Sequence, residues 1–197
     1  GDSWTAMNSM LTARKELSAA NINGIIYAVG GEDNNNNTLA TAEAYNVQTA
    51  TWSAIASMST ARKSFGMAAM SGKLYVVGGE SGGVQLATGE VYDPSLNSWS
   101  SIASLPQAVS KLKLIALNGK LYAIGGEIDG VAINSVYVYN SQTNNWSVGV
   151  PLPTAGYNFG AVSTEGKIYL AGGQSAENNY LYASVVFEPT SNTWQNG

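Results

Sequence analysis

The chain contains no cysteine and no histidine, and only 11% of its 197 residues are charged, against roughly 25% in an average globular protein. Without cysteine there is no disulfide framework and no thiol nucleophile. Without histidine there is no imidazole base, and without either there is no zinc finger. A metal could be held only through oxygen ligands, as calcium or magnesium are, so no cofactor is expected. Basic residues are scarce as well, 9 Lys and Arg against 13 Asp and Glu for a net charge of -4. The positive footprint that nucleic-acid or anionic-membrane binding requires is therefore missing. No apolar run approaches the roughly 18 residues of a membrane span, and no charged-then-apolar leader opens the chain. Absent cysteine suits a reducing cytosol and equally an exported bacterial protein, so it assigns no compartment.

What is present is apolar residues, at 45% of the chain, enough for a packed core in a protein of this length. Their arrangement is periodic. All five tryptophans, Trp4, Trp52, Trp99, Trp146 and Trp194, are spaced by 48, 47, 47 and 48 residues. The glycine pairs Gly30-Gly31, Gly78-Gly79, Gly125-Gly126 and Gly172-Gly173 keep the same interval. Each pair ends an apolar run with a tyrosine at a fixed place (Tyr27, Tyr75, Tyr122, Tyr169), and a later aromatic recurs at Tyr45, Tyr92, Tyr139 and Phe187. The chain is one domain over residues 1–197, with repeats of about 4–51, 52–98, 99–145 and 146–193.

Each repeat divides into four short runs bounded by Gly, Asn, Ser or Pro. In the second repeat these are Phe65 to Met70, Lys73 to Val77, Ala87 to Asp93 and Trp99 to Ser104. They are too short for helices and read as strands. Asn23-Gly24, Ser71-Gly72, Asn118-Gly119 and Glu165-Gly166 stand between the first two runs, where a two-residue hairpin turn needs positive φ at both positions. The run before each glycine pair barely alternates, which predicts a strand covered on both faces. The pair itself removes side chains where the backbone leaves a crowded centre.

Tandem four-stranded units of this length, with a double glycine, a preceding tyrosine and later Tyr and Trp, resemble the kelch repeat. Two repeats end in the family's manner, as Asp93-Pro94-Ser95-Leu96-Asn97-Ser98-Trp99 and Glu188-Pro189-Thr190-Ser191-Asn192-Thr193-Trp194. The resemblance implies an all-β fold, a β-propeller of four kelch-type four-stranded blades. The ring would be closed at four blades, or partial, as a fragment of a larger propeller or one completed by another copy. Trp4 would begin a fourth strand left without its own blade, and the tryptophans would pack between sheets. The family's arginine before the first strand is matched by Arg14 and Arg62, while Val109 and Gly156 occupy that place in the later repeats.

The propeller geometry implied by the resemblance puts two loop sets on one face. One begins with Glu32, Glu80, Glu127 and Gln174; the other holds Arg14-Lys15, Arg62-Lys63, Ser110-Lys111 and Tyr157-Asn158. Arg14, Lys15, Arg62, Lys63, Glu32, Glu80, Glu127 and Gln174 are thus candidate ligand-binding residues around the channel mouth. Tyr157 and Tyr180, off the repeating aromatic positions, are added as contact candidates. No residue is assigned a catalytic or metal-binding role. Kelch relatives that are copper radical oxidases use Cys and His ligands, which this chain lacks. The reading is a non-catalytic binding or scaffold module for a protein or peptide segment or a polar ligand. The alternatives are a carbohydrate-active protein, lectin-like or similar to the sialic acid mutarotases, and an excised or engineered propeller fragment that self-associates. A rim role for Arg62 predicts that Arg62→Ala weakens partner capture without lowering the melting temperature.

Overall fold

A computed structural model of the protein describes residues 2–175, 179–181 and 184–196. Its regular structure is entirely strand, in four antiparallel four-stranded sheets. The first holds β1 (Ser18–Ile22), β2 (Ile25–Val29), β3 (Ala42–Asn46) and β4 (Thr51–Ile55). The second holds β5 (Gly66–Met70), β6 (Lys73–Val77), β9 (Gly89–Asp93) and β10 (Ser98–Ile102), with a small hairpin, β7 (Glu80–Ser81) and β8 (Val84–Gln85), between β6 and β9. The third repeats that plan in β11 (Lys113–Leu117), β12 (Lys120–Ile124), the hairpin β13 (Glu127–Ile128) and β14 (Val131–Ala132), β15 (Val136–Asn140) and β16 (Asn145–Val148). The fourth holds β17 (Gly160–Thr164), β18 (Lys167–Ala171), β19 (Ser184–Glu188) and β20 (Thr193–Asn196).

The strands expected in the second repeat match β5, β6, β9 and β10 to within about two residues at each end. The turns have the expected geometry: φ is +51° at Ser71 and +75° at Gly72, and the other three turns are alike. That is a type I′ turn, whose twist matches the strands it joins.

Each sheet packs its apolar face on the next. Tyr27, Val29 and Ala44 of the first meet Met67, Leu74, Val76 and Tyr92 of the second. Tyr75, Val77 and Met70 of the second meet Leu114, Leu121 and Tyr139 of the third. Tyr122, Ile124 and Val136 of the third meet Ile168, Leu170 and Phe187 of the fourth. β6 and β12 are buried along almost their whole length, as strands covered on both faces must be. Among the described residues no such core joins the fourth sheet to the first, so the four blades form an arc.

The repeating tryptophans are clamps between neighbouring units. Trp52, Trp99, Trp146 and Trp194 each lie about 5 Å, centroid to centroid, from the aromatic of the adjoining strand. Their indole N–H groups donate to the carbonyls of Asn8, Ala56, Ala103 and Val150. Trp4 corrects the expectation for its position. It lies in no strand and is fully exposed, with no described strand beside it to pair with.

At the face opposite the glycine pairs, Lys73 Nζ lies 2.9 Å from Asp93 Oδ2. The Ser95 side chain, Lys73 and the Ser95 backbone N–H together hold the Asp93 carboxyl at about 2, below its ordinary value. Because the folded value is depressed, the resulting stability is present above the ordinary aspartate range and is lost as pH falls through about 2. Asp93→Asn should lower stability at neutral pH and flatten the acid limb of a stability–pH curve between about pH 4 and pH 2, so that variant and parent converge below about pH 2, followed by tryptophan fluorescence.

Candidate functional site

The residue after each glycine pair forms a two-way backbone bridge with the loop that enters the same blade. These bridges are Lys15 with Glu32, Lys63 with Glu80, Ser110 with Glu127 and Tyr157 with Gln174. The bridges place the two sequence-predicted loop sets side by side, around the inner end of the blades. Just beyond the bridge positions, Glu16, Ser64, Lys111 and Asn158 all adopt φ between +51° and +57°. Successive members are tied N–H to C=O, Ser64 to Glu16 at 3.1 Å, Lys111 to Ser64 at 2.6 Å and Asn158 to Lys111 at 3.3 Å. This inner ladder lines the mouth.

The charged side chains there form a chain of ion pairs. Lys15 reaches Glu32 at 2.8 Å, Lys63 reaches Glu32 at 2.5 Å and Glu80 at 3.8 Å, and Lys111 reaches Glu127 at 2.6 Å. Hydrogen bonds from Lys15 and Lys63 hold the Glu32 carboxyl below its ordinary range, and the bond to Glu32 raises the Lys63 ammonium. Glu32 is therefore firmly ionised, the opposite of what a general acid needs. Lys111 also stands 4.9 Å over the Tyr157 ring. Lys15 is the most open of these lysines, with its side chain 61% exposed. Tyr157 is buried, Gln174 is half-buried and Tyr180 is exposed.

Beside the mouth, the hairpins β7–β8 and β13–β14 flank a cleft of about 440 Å³ lined by Val84, Gln85, Gln107, Ala108, Ile128 and Asp129. Gln85 fixes its position by donating to Ser110 Oγ and the Glu127 carbonyl and accepting from the Asp129 N–H. Val84 and Val131 are exposed at the hairpin tips. Sequence reasoning did not single out this cleft. Its signal was Ser81-Gly82-Gly83-Val84 and Asp129-Gly130-Val131, tight turns next to apolar residues.

Arg14 and Arg62 sit elsewhere. Both side chains are 0% exposed and turn into their own blades, away from the rim surface. Arg62 bonds the Gly78 and Thr88 carbonyls and Glu90, and Arg14 bonds the Gly30 and Thr41 carbonyls and Glu43. Each glutamate also accepts two loop N–H groups, from Ser59 and Thr60 or from Leu11 and Thr12. Burial pushes the Arg62 guanidinium down, and Glu90 opposes that shift.

The sequence carries the partner of this arginine as well as its loss. Two residues before the later aromatic stand Glu43 and Glu90, then Tyr137 and Val185. Where Leu11 and Ser59 donate an N–H, the third and fourth repeats have Pro106 and Pro153, which have none to give. Arginine, glutamate and donor are thus lost together. In the third blade Val109 and Tyr137 fill the space, both buried. In the fourth, Gly156 and Val185 leave a cavity of about 60 Å³ walled by Leu152, Pro153, Phe159, Leu170 and Leu181.

Four-stranded sheets stacked in an arc, each tied to the next by hydrogen bonds from its glycine pair to the loop entering the next blade, define a β-propeller. The family models agree: the KLHDC2/KLHL20/DRC7 Kelch-repeats domain matches residues 2–151, and the Kelch motif matches residues 155–197. The chain belongs to the kelch-repeat family. The solved structure of YjhT is similar to it with a TM-score of 0.82 at 18% identity, over 97% of this chain and 67% of that one. At that identity the likeness is one of fold. No curated protein sequence matches the chain.

Proposed function

We propose that this protein is a non-catalytic binding module that takes a protein segment on its loop face. A kelch propeller supports a binding or scaffold role in general, and the particular site is read from the face itself. The observation that carries the reading is the cleft between the two hairpins, apolar at its tips and polar at its base, next to the ion-paired mouth. An extended peptide suits it: Val84, Val131 and Ile128 offer apolar contact, and the rim lysines Lys15 and Lys111 offer donors. Small apolar tips beside satisfied polar groups are what a peptide site needs, since binding energy concentrates in a few desolvated contacts. Glu80 and Glu127 belong to the same face through their lysine partners.

The test is selection of a displayed library of extended peptides on the immobilised protein. Val84→Lys with Val131→Lys should reduce capture of the selected peptides at least about tenfold, as loss of roughly 1.4 kcal/mol would. Lys167→Glu, on the opposite face beside Glu188, should leave capture unchanged. Equal loss from both variants, or no selectable peptide, would refute the reading.

A further inference from the structure

The hairpins β7–β8 and β13–β14 follow one plan, Glu80-Ser81-Gly82-Gly83-Val84-Gln85 and Glu127-Ile128-Asp129-Gly130-Val131-Ala132. In each, the glutamate uses its backbone N–H and C=O on the entry loop of its own blade, at Lys63 or at Ser110. A valine stands exposed at each tip. The two differ at the last position, where Ala132 is small and buried and Gln85 is long and half-buried. The blade plan therefore does not call for an amide there.

The Gln85 amide serves the next blade. Its Nε2 donates to the Glu127 carbonyl at 2.9 Å and to Ser110 Oγ at 3.0 Å, and its Oε1 accepts from the Asp129 N–H at 3.2 Å. The Glu127 carbonyl and the Asp129 N–H flank Ile128. One residue of a parallel strand bonds its neighbour in this way, donating to the residue before the one it faces and accepting from the residue after it. The side-chain amide thus stands where an extended backbone would lie along β13. Its departure leaves the Glu127 carbonyl still bonded to the Ser110 N–H, and Asp129 is already exposed.

We infer that the peptide in this cleft binds by strand addition, one of its residues taking the Glu127 carbonyl and the Asp129 N–H from Gln85. The inference rests on the peptide reading of the cleft and adds which part of the ligand is recognised, namely its backbone. Main-chain hydrogen bonds supply affinity, and alternate side chains meet Val84, Ile128 and Val131. Gln85 is a competitor already in place. An open strand edge invites indiscriminate pairing, and an amide that covers it until a ligand arrives prevents that. The exchange gives up the bond to Ser110 Oγ, so Gln85 weakens binding.

The probes are extended peptides selected in parallel on the parent protein and on Gln85→Ala, with affinities read by titration. Gln85→Ala and Gln85→Met, the second keeping side-chain length without the amide, should each bind about fivefold more tightly, as removal of roughly one net hydrogen bond from the competitor would give. Methylating the peptide backbone one nitrogen at a time should weaken binding at least about tenfold at one position, where the Glu127 carbonyl loses its donor. In nuclear magnetic resonance spectra, saturating peptide should move the Gln85 side-chain amide signals to the solvent-exposed position while the Asp129 N–H stays protected from exchange. Peptides that bind the parent, lose capture with Val84→Lys and Val131→Lys, and bind both Gln85 variants equally or more weakly overturn strand exchange and leave the peptide site standing. A methyl scan with no sensitive position does the same. If neither protein yields a peptide, the site and the exchange fall together.

Discussion

Arg62→Ala is expected to cost about 3–5 kcal/mol of stability, because it leaves Glu90 buried and ionised without its partner. In a chain of this size that lowers the melting temperature by on the order of 10 °C. The outcome reverses what a rim position for Arg62 would give, since its side chain is 0% exposed and makes four hydrogen bonds inside the second blade. The third blade indicates how the loss is repaired. Ser59→Pro, Arg62→Val and Glu90→Tyr together copy its Pro106, Val109 and Tyr137. Replacing a buried ion pair by packed apolar groups is often close to neutral, so the triple variant should recover most of the loss. Urea melts of the single, double and triple variants measure this. A triple variant as unstable as Arg62→Ala would show that the three positions do not act as a unit.

Gly125→Ala comes next in expected size. An added Cβ would stand 2.5 Å from the Gly156 carbonyl and 2.7 Å from the Phe159 ring, at φ of +57°. The left-handed backbone alone costs a non-glycine residue roughly 1–2 kcal/mol. Forcing apart a packed junction adds about 1–3 kcal/mol, for a total of about 2–5 kcal/mol. Gly172→Ala has nearly the same φ, +65°, with its nearest neighbour at 3.7 Å, and should show the backbone cost alone. Equal losses from both substitutions would mean that the junction carbonyl does not set the cost at Gly125.

The blades were legible because their signals are local. A hairpin turn needs positive φ at two adjacent residues, and Asn118-Gly119 supplies them whatever surrounds it. The strands before the glycine pairs read as doubly covered because Leu74 to Val77 and Leu121 to Ile124 do not alternate. The rim lysines and glutamates also fell together as read, since the bridge of Lys63 to Glu80 follows from the repeat itself. Arg14 and Arg62 looked like neighbours of Lys15 and Lys63 with the same duty, but adjacent residues in an extended segment point opposite ways. One of each pair reaches the mouth and the other enters the sheet. The coupled change of Arg62, Glu90 and Ser59 to Val109, Tyr137 and Pro106 was in the sequence, visible only when the repeats are laid over one another. The hairpin cleft was missed because its walls come from two blades.

By itself the sequence determined the all-β repeat, the number of blades and the turns, because each rests on contacts within about fifty residues and recurs four times. It also ruled out thiol and imidazole chemistry through composition alone. Only the tertiary structure decided which charges are surface and which are scaffold, and which blade faces are packed among the described residues. Those properties depend on what the neighbouring blade places against a residue. Tyr75 and Tyr169 stand at the same place in their repeats, and only the packing of the next blade buries one and leaves the other exposed.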